Sequence, residues 1–240
     1  MVSYIWSMKK VLKYILFSVL GMLLFVILVV YTYSDENNLI GEGITTEEKM
    51  QAFSEQLEKS EVSDERRKEI DDSIALVVEG VMKAKKENFD KAKQALKSFR
   101  KKEDEFEGVK FFSEKRTPYY ANVNFIYPYI SNSSNNYYLR LKLQYTSDNW
   151  LFINRAIFLI DGIKYEISGN FKRDNNSTIW EWLDLSVGDK ERNILEMLAN
   201  SKKAKVRYEG DKYYKDRTIT SKEKSIIRKT LKVYDGLTYN

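Results

Sequence analysis

The chain has 240 residues, with 40 Lys and Arg against 35 Asp and Glu, and neither His nor Cys. The two missing residue types exclude disulfides, thiol nucleophiles, Ser-His-Asp and Cys-His catalysis, HExxH metalloproteases and most zinc sites at once. The net charge of +5 is unevenly spread: residues 1–34 carry +3, residues 35–108 carry 14 basic and 20 acidic groups (net −6), and residues 109–240 carry 23 basic and 15 acidic groups (net +8).

Residues 1–13 form a short N-terminus that ends in Lys9, Lys10 and Lys13, and residues 14–34 are uncharged. Tyr14 to Tyr33 spans 20 residues, 13 of them Leu, Ile, Val or Phe. As a helix that run is about 30 Å long, the thickness of a bilayer's hydrocarbon core. The apolar stretch is longer than the core of a cleaved signal peptide, and no Ala precedes Ala52, so there is no A-x-A-like cleavage site. The run is expected to be an uncleaved transmembrane signal anchor. Three Lys precede it and no Lys or Arg follows until Lys49, which places the N-terminus in the cytoplasm and the rest of the chain outside.

Residues 35–44, with Asn37, Asn38, Gly41 and Gly43, read as a linker. Residues 45–108 read as a charged helical stalk or hairpin. Thr45-x-x-Glu48 is a capping-box pattern for a helix to about Lys59, and Ser63 starts a second. Ile70, Ile74, Val77, Val78, Val81 and Met82 make one helical face, resumed by Phe89, Ala92, Leu96 and Phe99. Asn88 and Asp90 suggest a break between the two runs. The stripe either packs on the following domain or serves as a seam for a homo-oligomer or a larger membrane complex.

From Val109 the composition turns to Tyr, Phe, Trp, Ile and Val, which marks a domain over 109–240. Pro118 and Pro128 bracket its first strand and suggest an edge. Ser131 to Asn136 reads as a loop, and Tyr137 to Tyr145 alternates Leu139, Leu141 and Leu143 with Arg140, Lys142 and Gln144, as a half-buried antiparallel strand does. Trp150 to Ile160 reads as a central strand, and Asp161-Gly162 as a type I′ hairpin turn into Ile163 to Ser168. Asp174 to Ser177 is a loop before the Trp-rich strand Ile179 to Val187. Asp189 caps a helix to Asn200, Ala204 to Glu209 is a strand, and Thr220 or Ser221 caps a last helix from Lys222 to Tyr234, stopped by Gly236. The expected fold class is α+β: an N-terminal transmembrane helix, a charged helical segment, then a mainly antiparallel, β-sandwich-like domain with two late helices.

No catalytic motif stands out. GxxxxGK[ST], GxGxxG and DxDxDG are absent, and the Ser-x-x-Lys at Ser98 to Lys101 has no KTG anywhere in the chain to go with it. Glu166, Glu181 and Asp184 are the carboxylates a glycoside hydrolase would need, but Glu181 and Asp184 are three apart on a strand and point to opposite faces. No enzyme activity, cofactor or metal is expected. Two binding surfaces are candidates. Lys202 to Lys232 holds 12 basic and 4 acidic residues, with Lys203, Lys205, Arg207, Arg217, Arg228 and Lys229 as a patch for anionic headgroups, envelope polymers or an acidic protein. Tyr119, Tyr120, Tyr127, Tyr129, Tyr137 and Tyr138 are an aromatic platform for sugar or peptide. No recognition motif favours nucleic acid. The expected function is that of a single-pass, membrane-anchored, extracytoplasmic binding protein of a bacterial cell envelope.

Overall fold

A computed structural model describes residues 64–238. The run 14–34, the linker 35–44 and the helix expected from Thr45 lie outside the described residues. Among those described, no helix is long and apolar enough to cross a membrane. The chain divides into units 1–70 and 71–240, and the account below concerns the second.

The elements in chain order are α1 (Asp64–Leu96), β1 (Arg100–Asp104), β2 (Val109–Ser113), β3 (Phe125–Ser133), β4 (Asn136–Ser147), β5 (Ile153–Ile160), β6 (Ile163–Ser168), β7 (Lys172–Asn175), β8 (Ile179–Ser186), α2 (Asp189–Asn200), β9 (Ala204–Gly210), β10 (Tyr214–Thr218) and α3 (Ser221–Thr238). They form a six-stranded sheet A, ordered β1-β2-β3-β4-β8-β7, and a four-stranded sheet B, ordered β10-β9-β5-β6. Every strand pairing is antiparallel. The domain is α+β, with α1 before the strands, α2 between β8 and β9, and α3 after them.

Alternation decides the faces. In β4, Leu139, Leu141 and Leu143 are buried on the inner side, and in β5 and β9 the inner rows are Ala156, Phe158 and Ile160 and Ala204, Val206 and Tyr208. The rings of Tyr145 (β4) and Tyr208 (β9) meet at 5.5 Å, so the two sheets share one core. Ile194, Leu195 and Leu198 of α2, Ile227, Leu231 and Leu237 of α3, and Ala92 and Leu96 of α1 complete it.

Several elements differ from expectation. Helix α1 runs through Asn88 and Asp90 without a break, because Phe89, Ala92 and Leu96 continue the stripe and neither Gly nor Pro interrupts it there. The stretch expected to stay helical to Gly108 instead turns at Ser98 and forms β1. Asp104 Oδ1 accepts the Phe106 and Glu107 N–H groups, and Gly108, at φ +64°, closes the β1–β2 turn. The loop expected over 131–136 shrinks to Ser134 and Asn135, at φ 49° and 65°, a two-residue I′ turn between β3 and β4. The two short strands β7 and β10, both exposed and charged, carry no alternation to read. Asp161-Gly162 is the expected I′ turn, at φ 46° and 96°.

Strand β3 sits between β2 and β4 in the sheet order, although β2 pairs only with its Ile130 to Asn132. The N-terminal half of β3 therefore has an open edge, which tolerates Pro128. Glu223 of α3 seals part of it: its Oε1 accepts the Ile126 N–H at 2.9 Å. Glu223 is also the far half of a capping box, taking the Thr220 N–H at 2.8 Å while Thr220 Oγ1 accepts the Glu223 N–H at 3.2 Å. Helix α3 runs on past Gly236, which was expected to stop it. A Cβ on Gly236 would lie 2.7 Å from Ala92 Cβ, so this glycine lets α3 and α1 approach closely instead of ending a helix. Helix α2 is capped at Gly188, one residue before the expected Asp189, with Gly188 N–H donating to Glu191 Oε2 at 3.1 Å.

Candidate functional site: a cation and aromatic face on sheet A

The basic tail does not assemble into one open patch. Arg207 donates twice to Asp216, at 2.7 and 2.8 Å, and lies 3.8 Å from the Tyr214 ring centroid. Arg217 is half-buried against Glu223, donating at 2.6 and 3.0 Å. Arg228 donates to the Ala199 carbonyl at the end of α2. Lys229 stands 3.4 Å from Glu114 and 5.3 Å from the Phe99 ring centroid. Lys203 and Lys205 remain exposed. Pairing over distances of 6 to 115 residues in sequence neutralises charges that composition had grouped together.

The tyrosines also divide. Tyr127 and Tyr129 are buried, Tyr119, Tyr120 and Tyr138 are exposed, and Tyr137 is half-buried on the inner side of sheet A. Tyr137 lines an open groove of about 530 Å³ with Asp90, Lys93, Lys97 and Phe112. The three candidate carboxylates do not converge. Glu181 is fully buried and takes the Leu151, Phe152 and Ile153 N–H groups at 2.8, 3.0 and 2.8 Å and Arg173 Nε at 3.0 Å. Asp184 points to the opposite face of β8, and Glu166 pairs with Arg155 and Ser168 on sheet B. Glu181 holds a loop: it fixes Phe152 at φ 55°, unusual for a bulky residue, and leaves its ring 55% exposed.

The face that gathers unmatched charge is the outer side of sheet A, whose membership follows from the register. Cross-strand rows run Lys102–Phe111–Ser131–Tyr138, Tyr129–Arg140–Ser186, Tyr127–Lys142–Asp184, and Phe125–Gln144–Trp182–Lys172. Thr146, Trp180 and Asp174 form the next row, and Arg100 stands at the β1 edge. Asp184 is the carboxylate at its centre. Tyr129 Oη lies 2.8 and 2.9 Å from its two oxygens, Arg140 donates to it at 2.8 and 3.0 Å, and Lys142 Nζ is 4.0 Å away. Side-chain exposures are 28% for Arg140, 25% for Lys142 and 21% for Asp184, so the cluster is partly dehydrated. Burial pushes the Lys142 ammonium below its usual range; Lys102, Lys172 and Arg140 add to this and Asp184 opposes it. Burial, with the Asp184 charge, pushes the Tyr127 phenol up to about 12 and that of Tyr129 further.

A strap, residues 114–124, crosses one end of this face. Arg100 holds it, donating to the Thr117 carbonyl at 3.2 Å, Thr117 Oγ1 at 2.9 Å and the Pro118 carbonyl at 3.0 Å, under the Tyr119 ring at 3.9 Å. Asn124 pairs with the backbone of Thr146 in both directions. Gln144, buried to 1%, donates to the Tyr120 carbonyl at 3.3 Å, and its Oε1 has no partner. Chemically, the face offers cations, ring faces and an unused amide acceptor. It brings together no nucleophile with a base, and the described residues hold no group of three or more carboxylates suited to a metal ion.

Sequence reasoning placed Arg140, Lys142 and Gln144 on the polar side of a strand but gave them no role. It did not single out Trp180 and Trp182 as a surface. The signal was present in W-x-W, which sets two large rings on one face of a strand while Glu181 and Leu183 turn inward. The chain matches no protein-family model, and no protein of curated function shows significant sequence similarity to it.

Proposed function

We propose that this chain is a single-pass, membrane-anchored, extracytoplasmic binding protein of a bacterial cell envelope, without enzymatic activity, and that the outer face of sheet A holds an anionic envelope polymer. The observation that carries the reading is the charge of that face. Arg100, Lys102, Arg140, Lys142 and Lys172 share it with Asp104, Asp174 and Asp184. Asp104 and Asp174 stand on the edge strands β1 and β7, which leaves Asp184 beside the central cations Arg140 and Lys142. Partly dehydrated like charges repel, and a polyanion relieves that repulsion. The apolar run 14–34 supports the anchor, and the Lys distribution supports an outside location.

Polyglutamate is a probe without sugar or base. The full chain in detergent should bind it with an affinity that falls steeply with salt, and Lys142→Gln should weaken binding several-fold and flatten the salt dependence. Binding that is absent at low salt would refute the reading. Location is tested separately by Ser134→Cys, which puts one thiol in the exposed β3–β4 turn of a Cys-free chain. Labelling of intact cells by an impermeant maleimide supports the outside location, and labelling only after lysis refutes it.

A second reading has its own observation. Upstream of the part of α1 that packs on the domain, Leu76, Val77, Val78 and Met82 are exposed to 70, 39, 38 and 58%. That stripe suits a structural subunit of a membrane complex, joined to its partners or to a second copy through α1. Crosslinked species that disappear when Ile74 and Val81 become Glu would support it.

A further inference from the structure

The outer face carries more than charge. Trp180 and Trp182 sit at i and i+2 on β8, so their side chains stand about 6.8 Å apart along the strand on the same side of the sheet. Both are half-buried, with part of each ring left to solvent. Trp182 lies directly across from Gln144 and Lys172, and Trp180 across from Thr146 and Asp174. Gln144 Oε1 is shielded from water and accepts nothing. A buried acceptor left unmatched costs about 1–3 kcal/mol, so a site for a donor stands beside Trp182. A polyphosphate chain has no donor to give it.

We propose that the polymer held by this face is an acidic polysaccharide, its rings seated on Trp180 and Trp182 and its anionic groups on Arg140, Lys142, Lys102 and Lys172. The proposal rests on the binding reading above and adds the ligand's class. The C–H face of a pyranose is apolar and flat enough to cover an indole ring, and its equatorial hydroxyls are donors as well as acceptors. When the strap lifts at Tyr120, whose carbonyl accepts from Gln144 Nε2 at 3.3 Å, neighbouring hydroxyls of a sugar at the Trp182 end can donate to Oε1 and accept from Nε2. On the strap, the exposed Tyr120 follows a Tyr119 whose ring covers Arg100 at the β1 edge. Sugar recognition falls in the rows of Trp180 and Trp182, and the cations flank them, Lys172 beside Trp182 and Lys142 and Arg140 in the rows that follow.

The test compares four probes on the full chain in detergent, at equal charge concentration where charged: polygalacturonate (ring and carboxylate), polyglutamate (carboxylate without ring), dextran (ring without charge) and single-stranded oligothymidylate. Polygalacturonate should bind at least tenfold more tightly than polyglutamate and dextran, with a change in tryptophan fluorescence. Trp182→Leu and, separately, Gln144→Leu should bring that ratio close to one without changing polyglutamate affinity. Trp180→Leu serves if Trp182→Leu does not fold, and the wild-type ratio decides by itself if neither does. Equal affinity for polygalacturonate and polyglutamate overturns the sugar proposal and leaves the anion-binding reading standing. Oligothymidylate binding as tightly as polygalacturonate overturns it in favour of a nucleic acid. Binding of none of the charged probes overturns both readings.

Discussion

Glu181→Gln is the substitution whose cost the structure defines best. Glu181 is fully buried, and its two oxygens accept four donors, the three consecutive N–H groups of 151–153 and Arg173 Nε. An amide keeps one oxygen. Its NH₂ must then face either Leu151 and Phe152 or Ile153 and Arg173, donor against donor. Each lost bond to a charged acceptor is worth about 1.5–3 kcal/mol, and breaking a buried ion pair costs about 3–5 kcal/mol. The Arg173 side chain is 36% exposed and can turn to water, so the lower end applies, about 3 kcal/mol. For a domain of this size each kcal/mol is about 2–4 °C, which gives a Tm fall of roughly 6–12 °C. Urea and thermal unfolding of the full chain in detergent, followed by circular dichroism, should show this. Glu166→Gln, at a side chain 43% exposed, should stay within about 0.5 kcal/mol of wild type. A loss below about 1 kcal/mol for Glu181→Gln would mean that the carboxylate does not hold the loop, and the account of Phe152 would fall with it.

Phe152→Gly should leave stability within about 1 kcal/mol, because relief at φ +55° offsets the lost contacts with Trp150 and Arg173 and the entropy of glycine; a loss of 3 kcal/mol or more in the same melts would make Phe152 a core residue. The same substitution should have opposite signs in two helices. Gly80→Ala in α1 meets nothing within 4 Å and should stabilise by up to about 1 kcal/mol, whereas Gly236→Ala meets Ala92 Cβ at 2.7 Å and should destabilise by about 1–2 kcal/mol despite its better helix propensity. Alkaline titration tests the buried phenols. Tyr127 and Tyr208 ionise only near pH 12, pushed up chiefly by burial, against 10.0 for a free phenol. A raised folded pKa means that their contribution is intact below pH 10 and is lost from there to about pH 12, so absorbance at the tyrosinate band should rise with unfolding in that window. Complete titration near pH 10 with the fold intact would refute their burial.

What lay in the sequence lay in short-range pattern. The proposed anchor over 14–34 is read from the string itself, since length and apolarity need no neighbours. The alternation of Leu139, Leu141 and Leu143 and the Asp161-Gly162 turn were equally legible, because pleat and turn geometry depend on residues a few positions apart. The capping box of Thr220 and Glu223 spans only three residues and was visible in part. The tertiary structure decided what each charge and glycine is for. Gly236 looks like a helix stop until Ala92, far upstream, is brought against it. Glu223 looks like a cap until Ile126 and Arg217 reach it. The basic tail looked like the binding surface because its cations are neighbours in sequence, but most find partners within the fold. Arg140, Lys142, Trp180 and Trp182 come together only because β4 pairs with β8 across a gap of some forty residues. Secondary structure is fixed by local sterics and periodicity, whereas the pairing of a charge is fixed by whichever distant segment the core places beside it.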